Sequence, residues 1–524
     1  MRQAARRTIA ACFGLAALTV APGSSRAQAA APPESFFALV AEPDREAARG
    51  FYAKHLDVGG LPVAASAEVD DRALVRTREI VSRMLAGRPD LIRAMAERGM
   101  YLVVIGKDQV YTDMPEYRRH PDPAFVNERV RGTGGRPTSF GEENLLSLPL
   151  DRYDDESIAV HEFAHTIDST LAAVEPDWKG RLRSTYCAAI DRGLYRDAYA
   201  AGNPAEYWAE VVQAYFDCNR VNNWNHGPVG TREQLKAYDP DGYELARSAF
   251  KLAPEQDWRY SWLQTLPNVE PPPARSGFDA HYKKATWARS FPVLGRGASD
   301  RAMLRANDVI RKMFAYRHDV LKALIDEGLR LIVLGPEESI AGLPEWGDLK
   351  GKDVDALSRH LEYAPGLGLM VVGEENVLGD PTAPRTGGDQ VVRAFAGAIL
   401  RGPGRRPAVP GRDPNDRDVQ QYELRVKRLD ASFDARLKSL FEAATAAGKW
   451  RGTAAARDRD AYWVEGVLAY FDAQGQVPAP ADAPAPIATR EALQTYDPGL
   501  FGLVDETMGY RGKVDWRLNR SRRP

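Results

Sequence analysis

Cysteine is scarce in this sequence. Its 524 residues hold three, and Cys12 lies inside an early apolar run with no lipobox before it, which argues against a lipid anchor. Charge of one sign is lacking too. A formal net charge of −2 gives no electrostatic reason to expect nucleic acid or an anionic membrane as partner. After the first thirty residues, no apolar stretch reaches the length of a membrane-spanning helix. What remains is ordinary: 44% apolar and 27% charged residues describe a globular chain, long enough to exceed what one hydrophobic core serves. Two or more domains are expected.

The start does not read as part of a fold. Arg2, Arg6 and Arg7 precede the apolar run "TIAACFGLAALTVA", and the small residues of "AQA" at Ala27 to Ala29 suit cleavage after Ala29. Residues 1–29 are predicted to be a secretory signal peptide, which places the mature chain outside the cytoplasm, periplasmic or secreted.

Laid upon itself, the sequence matches at length. "RPDLIRAMAERGMYLVVIG" at 88–106 answers to "RHDVLKALIDEGLRLIVLG" at 317–335, "GEENLLSLP" at 141 to "GEENVLGDP" at 373, "AEYWAEVVQAYFD" at 205 to "DAYWVEGVLAYFD" at 460, and "TREQLKAYDP" at 231 to "TREALQTYDP" at 489. The order is preserved, so one domain duplicated is expected. The predicted layout is an N-terminal linker at 30–48, a first domain at 49–266, a proline-rich linker at 267–280 and a second domain at 281–520. Each copy reads as α+β with helix predominant. Helical spacing runs through "VRTREIVSRMLAGRPDLIRAMAERG", and "MYLVVIG" and "LRLIVLG" suit buried strands.

Chemistry concentrates in "AVHEFAHTIDS" at 159–169. On a helix, His161 and His165 share a face and can present two imidazoles to one cation, while Glu162, turned about 100° away, points at the cation's solvent ligand. Asp154 or Asp155 is placed to cap this helix. A catalytic zinc needs a third protein ligand and an open position. "NPAEYWAE" supplies the third: Asn203 as cap and Pro204 at the first helical position start a helix on which Glu206 and Glu210 share a face. One carboxylate can close the site and the other orient a histidine.

The second copy is an internal control. Opposite His161, Glu162, His165 and Glu206 it carries Arg393, Ala394, Gly397 and Ala461, and opposite Tyr199 it has Ala454, whereas Phe395, Tyr462 and Trp463 repeat Phe163, Tyr207 and Trp208. A solvated face has no reason to lose its polar members together. Glu142, Glu143 and Asn144 recur as Glu374, Glu375 and Asn376, which assigns them to the fold. Glu210 persists as Glu465, and Arg393 is expected to supply its cation. His226, replaced by proline-rich sequence in the second copy, is a candidate substrate contact. Cys187 and Cys218, both absent from the second copy, are a candidate disulfide in an exported protein.

The motifs "HEFAH" and "NPAEYWAE" resemble the gluzincin metallopeptidases, and within them the anthrax-lethal-factor type, over about 60 residues. The resemblance implies a zincin-like fold, Zn2+ held by His161, His165 and Glu206, Glu162 as general base, Glu210 as a carboxylate behind the ligands, Tyr199 as the hydroxyl that steadies an oxyanion, and a peptide or protein substrate. The expectation is two tandem zincin-like domains, the second lacking the metal ligands and looking like a pseudoenzyme. Two other readings stay open: a non-catalytic binding protein stabilised by zinc, and a zinc hydrolase acting on a non-peptide bond. Retention of Glu162 argues against the first, since a structural site has no use for a base.

Overall fold

The computed structural model describes residues 29–196, 198–220, 226–315, 317–349, 359–364, 367–380, 388–401, 432–475 and 487–508. The predicted signal peptide, apart from Ala29, and the last residues of the second domain lie outside them.

The chain is α+β, helix-rich, with two mixed five-stranded sheets. In the first half, β1 (Tyr52–Val58), β2 (Leu61–Ser66), β3 (Leu102–Ile105), β4 (Gly132–Thr133) and β5 (Thr138–Gly141) lie in the order β1-β2-β3-β5-β4. The β2–β3 and β3–β5 pairs are parallel; β1–β2 and β5–β4 are antiparallel. In the second half, β6 (Lys284–Ala288), β7 (Phe291–Gly295), β8 (Arg330–Leu334), β9 (Leu361–Ala364) and β10 (Leu369–Gly373) take the order β6-β7-β8-β10-β9 with the same directions. Strands with parallel neighbours are buried on both faces, which is why β3 reads "LVVI" and β8 "RLIVL" without alternation.

Helices α1 (Asp71–Met84), α2 (Pro89–Glu97) and α3 (Ile158–Val174) cover one face of the first sheet, and α4 (Pro204–Tyr215) packs on α3. Helices α5 (Asp300–Met313), α6 (His318–Asp326) and α7 (Gln390–Arg401) do the same in the second half, with α8 (Arg459–Tyr470) packed on α7. The α3–α4 and α7–α8 pairs are pinned alike: the buried Trp208 ring donates Nε1–H to the Ala164 carbonyl at 2.8 Å and Trp463 to that of Ala396 at 2.9 Å. The recurring glutamates brace each sheet. Arg131 meets Glu143 at 2.5 Å and Arg359 meets Glu375 at 2.8 Å, while Glu142 and Glu374 each accept a backbone N–H at the head of a helix.

Residues 30–48 correct the predicted linker. They form short helices over Glu34–Phe37 and Arg45–Phe51, and Phe36, Phe37, Val40 and Ala48 are buried against Tyr52 and Tyr101 on the open face of the first sheet. Burial of these rings on an uncovered sheet face supplies what holds the segment in place. The 267–280 linker is also packed: Glu270 bridges Ala285, and Arg275 donates to the Lys107 carbonyl of the first half. Among the described residues, no helix is long and apolar enough to cross a membrane.

Candidate metal centre

Helix α3 begins at Ile158, two to three residues later than a cap at Asp154 or Asp155 would place it, with Ser157 as the cap. The Ser157 hydroxyl accepts from the Val160 N–H, and the Asn144 side-chain oxygen takes the Ile158 N–H at 2.8 Å. Asp154 and Asp155 are spent elsewhere, on Arg289 and His318 of the second half and, for Asp155, also on Arg220. Ala159, Val160, Phe163, Ala164, Ile167 and Leu171 are buried in the core, which leaves His161 and His165 on the remaining face. Helix α4 starts as predicted, Asn203 accepting from the backbone of Ala205 and Glu206 with Pro204 in the first turn.

Three donor atoms converge between these helices. His161 Nε2 and His165 Nε2 are 3.3 Å apart, and Glu206 Oε2 lies 3.3 Å from the first and 3.5 Å from the second. Bonds of roughly 2.0–2.1 Å to a tetrahedral zinc place neighbouring ligands about 3.3 Å apart. The near-equilateral triangle therefore fits the edge lengths of a zinc site, on residues His161, His165 and Glu206.

Glu162 lies beside the triangle under β4. A Cβ at Gly132 would come within 3.0 Å of Glu162 Cγ, and one at Gly134 within 2.5 Å of His165 Cβ, so the missing side chains are what let β4 and the residue just after it lie this close to α3. Burial holds the Glu162 carboxyl above the usual glutamate range, against the opposing pull of His161 and His165. That shift moves a carboxylate toward the range of an effective base.

Behind the ligands, the structure adds a residue that the sequence reading missed. Gln213 donates its amide to the Ser157 carbonyl at 3.0 Å, which turns its oxygen to His161 Nδ1, also at 3.0 Å. His161 must then carry its proton on Nδ1 and keep the Nε2 lone pair for a metal. Glu210 stands farther off, 3.9 Å from the same nitrogen. The signal was present: Leu468 occupies the matching place in the second copy.

Tyr199 sits on a 3-10 turn, half-buried, its ring centroid 6.1 Å from that of His161. His226, the candidate substrate contact, is turned inward. It is buried, with Nε2 3.4 Å from Glu210 and 3.7 Å from Glu156, its ring parallel to Tyr199. Two buried carboxylates draw the loop histidine inward, because a shared cation offsets their desolvation. The candidate disulfide is absent: Cys187 is an exposed free thiol, and Cys218 a buried one whose Sγ faces the Gln213 carbonyl at 3.4 Å.

In the second half, Arg393 meets Glu465 at 3.0 Å, the pairing expected from the sequence. Among the described residues, no cluster of potential metal ligands is drawn from that half alone. Comparison with protein-family models, curated proteins and solved structures finds no match to this chain.

The metal-free site ties affinity to pH. Burial disfavours a charged His161, but the hydrogen bond to Glu206 and the charges of Glu162, Glu206 and Glu210 outweigh it and push its pKa up to about 10. A metal must displace that proton. Apparent zinc affinity is therefore expected to rise with pH, by about tenfold per unit below 10, while the stability of the metal-free protein is full below the ordinary histidine pKa of about 6.5 and falls as pH approaches 10. Chelator competition and urea unfolding across pH 6 to 9 check both slopes; parallel slopes would contradict the assignment.

Proposed function

We propose that the chain is a zinc-dependent metallopeptidase of the gluzincin kind, exported after loss of residues 1–29, in which an internal duplication has left the second copy as a pseudoenzyme domain. The observation that carries this reading is the triangle of His161, His165 and Glu206 with Glu162 beside it. The matching strand order of the two sheets and the equivalent Trp208 and Trp463 contacts support the duplication.

A zinc ion held by these three residues supplies Lewis acidity and makes water acidic enough to be deprotonated near neutrality. Glu162 takes the proton of the attacking water and returns it to the leaving amine. Tyr199 donates its hydroxyl hydrogen to the substrate's carbonyl oxygen, which becomes an oxyanion as water adds to the carbonyl carbon. Gln213 keeps His161 in the tautomer that binds. Buried Glu210, with His226, balances charge behind the ligands.

Elemental analysis of the purified mature chain should give one zinc per molecule. Incubation with a proteome-derived peptide library should yield cleavage that 1,10-phenanthroline abolishes and added zinc restores. A protein without stoichiometric zinc, or cleavage indifferent to the chelator, would overturn the proposal. Stoichiometric zinc with hydrolysis of esters but of no peptide would favour a non-peptide hydrolase.

A further inference from the structure

The hairpin joining β6 to β7 turns through two residues, Arg289 and Ser290, between the paired Ala288 and Phe291. Both have positive φ, 51° and 63°. A turn of this shape is normally given to glycine or asparagine, because a Cβ is disfavoured there. The matching hairpin of the first half has Gly59 and Gly60, with φ 64° and 94°. The second half has thus put two side chains where the backbone least tolerates them, and strain of this kind persists only where surrounding contacts hold it.

Those contacts reach into the first half. Arg289 Nε bonds Asp154 at 2.9 Å, and the Ser290 N–H donates to the Pro149 carbonyl at 3.1 Å. Ser290 Oγ accepts from Lys322 Nζ at 2.9 Å, and Lys322 also donates to the Arg152 carbonyl. His318 lies 2.9 Å from Asp155 and 3.3 Å from Asp154. Asp154, Asp155 and His318 have the spacing of metal ligands, but Arg289, Lys322 and Arg220 already balance the carboxylates. The cluster is better read as a clamp on residues 149–155, the segment that leads into α3.

From the clamp, contacts continue to the metal centre. Arg220 bonds Asp155 at 2.6 Å and stands 3.7 Å from Glu156, whose other oxygen accepts from Gln213 at 3.4 Å. Gln213 meets His161 at 3.0 Å. Arg220, Glu156 and Gln213 are all buried, so motion at one end has little slack to absorb it.

We propose that the Arg289–Ser290 tip is a brace through which the second half fixes the start of α3 and, by way of Arg220, Glu156 and Gln213, the orientation of His161. The second half then has a function without chemistry of its own: it positions the metal site. The proposal rests on the metal-centre reading for its far end only.

The double substitution Arg289→Gly, Ser290→Gly tests it in the full chain. It restores the turn to the glycine pair of the first half, so it relaxes the hairpin while removing the grip. Amide hydrogen exchange of residues 154–162, measured without metal, is expected to quicken about tenfold. The zinc dissociation constant is expected to rise about tenfold, the lower end of the effect of outer partners on metal affinity. The visible spectrum of the cobalt-substituted protein should shift, which a general loss of stability would not cause. Unchanged exchange in the folded variant overturns the brace. Faster exchange with unaltered zinc affinity and cobalt spectrum overturns its reach to His161. A parent protein that takes up no zinc overturns the metal centre, and exchange alone then judges the brace.

Discussion

Replacing Glu162 by glutamine should leave zinc content unchanged and lower the hydrolytic rate about 10³-fold, within the range of a lost general base. The carboxylate is beside the ligand triangle without being part of it, so the substitution removes a proton acceptor and no ligand. Size and buried setting under Gly132 are kept. The amide cannot take a proton from water, whereas binding of substrate needs no proton transfer. The loss should therefore appear in kcat with KM little changed, measured on whichever library peptide is cut best. Cleavage at the parent rate would remove Glu162 from the mechanism.

Glu206→Ala is expected to act on the metal itself. Zinc held by protein donors at neutral pH is bound by on the order of 10 kcal/mol, and sharing this among three ligands makes the loss of one worth roughly 3 kcal/mol, or about 10²-fold in dissociation constant. A second effect runs the other way. Glu206 helps hold the proton on His161 and is itself held ionised, against its burial, by the two histidines. Without it His161 gives up its proton more readily, so the pH dependence of zinc binding should flatten in the variant. Chelator competition at three pH values separates the two effects. Parent-like affinity in Glu206→Ala would exclude this carboxylate as a ligand.

The parts of this site written into single helices were legible in the sequence. A four-residue spacing on a helix places two side chains on one face whatever surrounds it, so His161 and His165 needed no tertiary information. Glu206 was legible because Asn203 and Pro204 fix where its helix begins, and because the second copy offered a comparison. Interactions set by distant packing were not. Asp154 and Asp155 read locally as caps, yet their partners Arg289 and His318 lie more than 130 residues on, as the 135 and 163 positions of separation show. His226 lies on a loop, where no periodicity says whether a side chain faces water or two buried carboxylates. The paired absence of Cys187 and Cys218 suggested a bond, but a helix surface and a buried site near the end of α4 keep them unpaired. The 30–48 segment failed for the same reason: Phe36 and Phe37 show no pattern along the chain, and only the uncovered sheet face gives them a place.

Leu150 is buried among Tyr282, Trp287, Ile332 and Val371, in an apolar cluster of the second half. During synthesis the first half, ending at residue 266, leaves the ribosome about 105 residues before Val371 can close this cluster, and domains emerging from the ribosome fold in that order. The early half must wait with Leu150, and Leu148 beside it, short of their apolar cover, so cutting the chain at its proline-rich stretch would yield a fragment more prone to stick to itself instead of a tidy minimal enzyme.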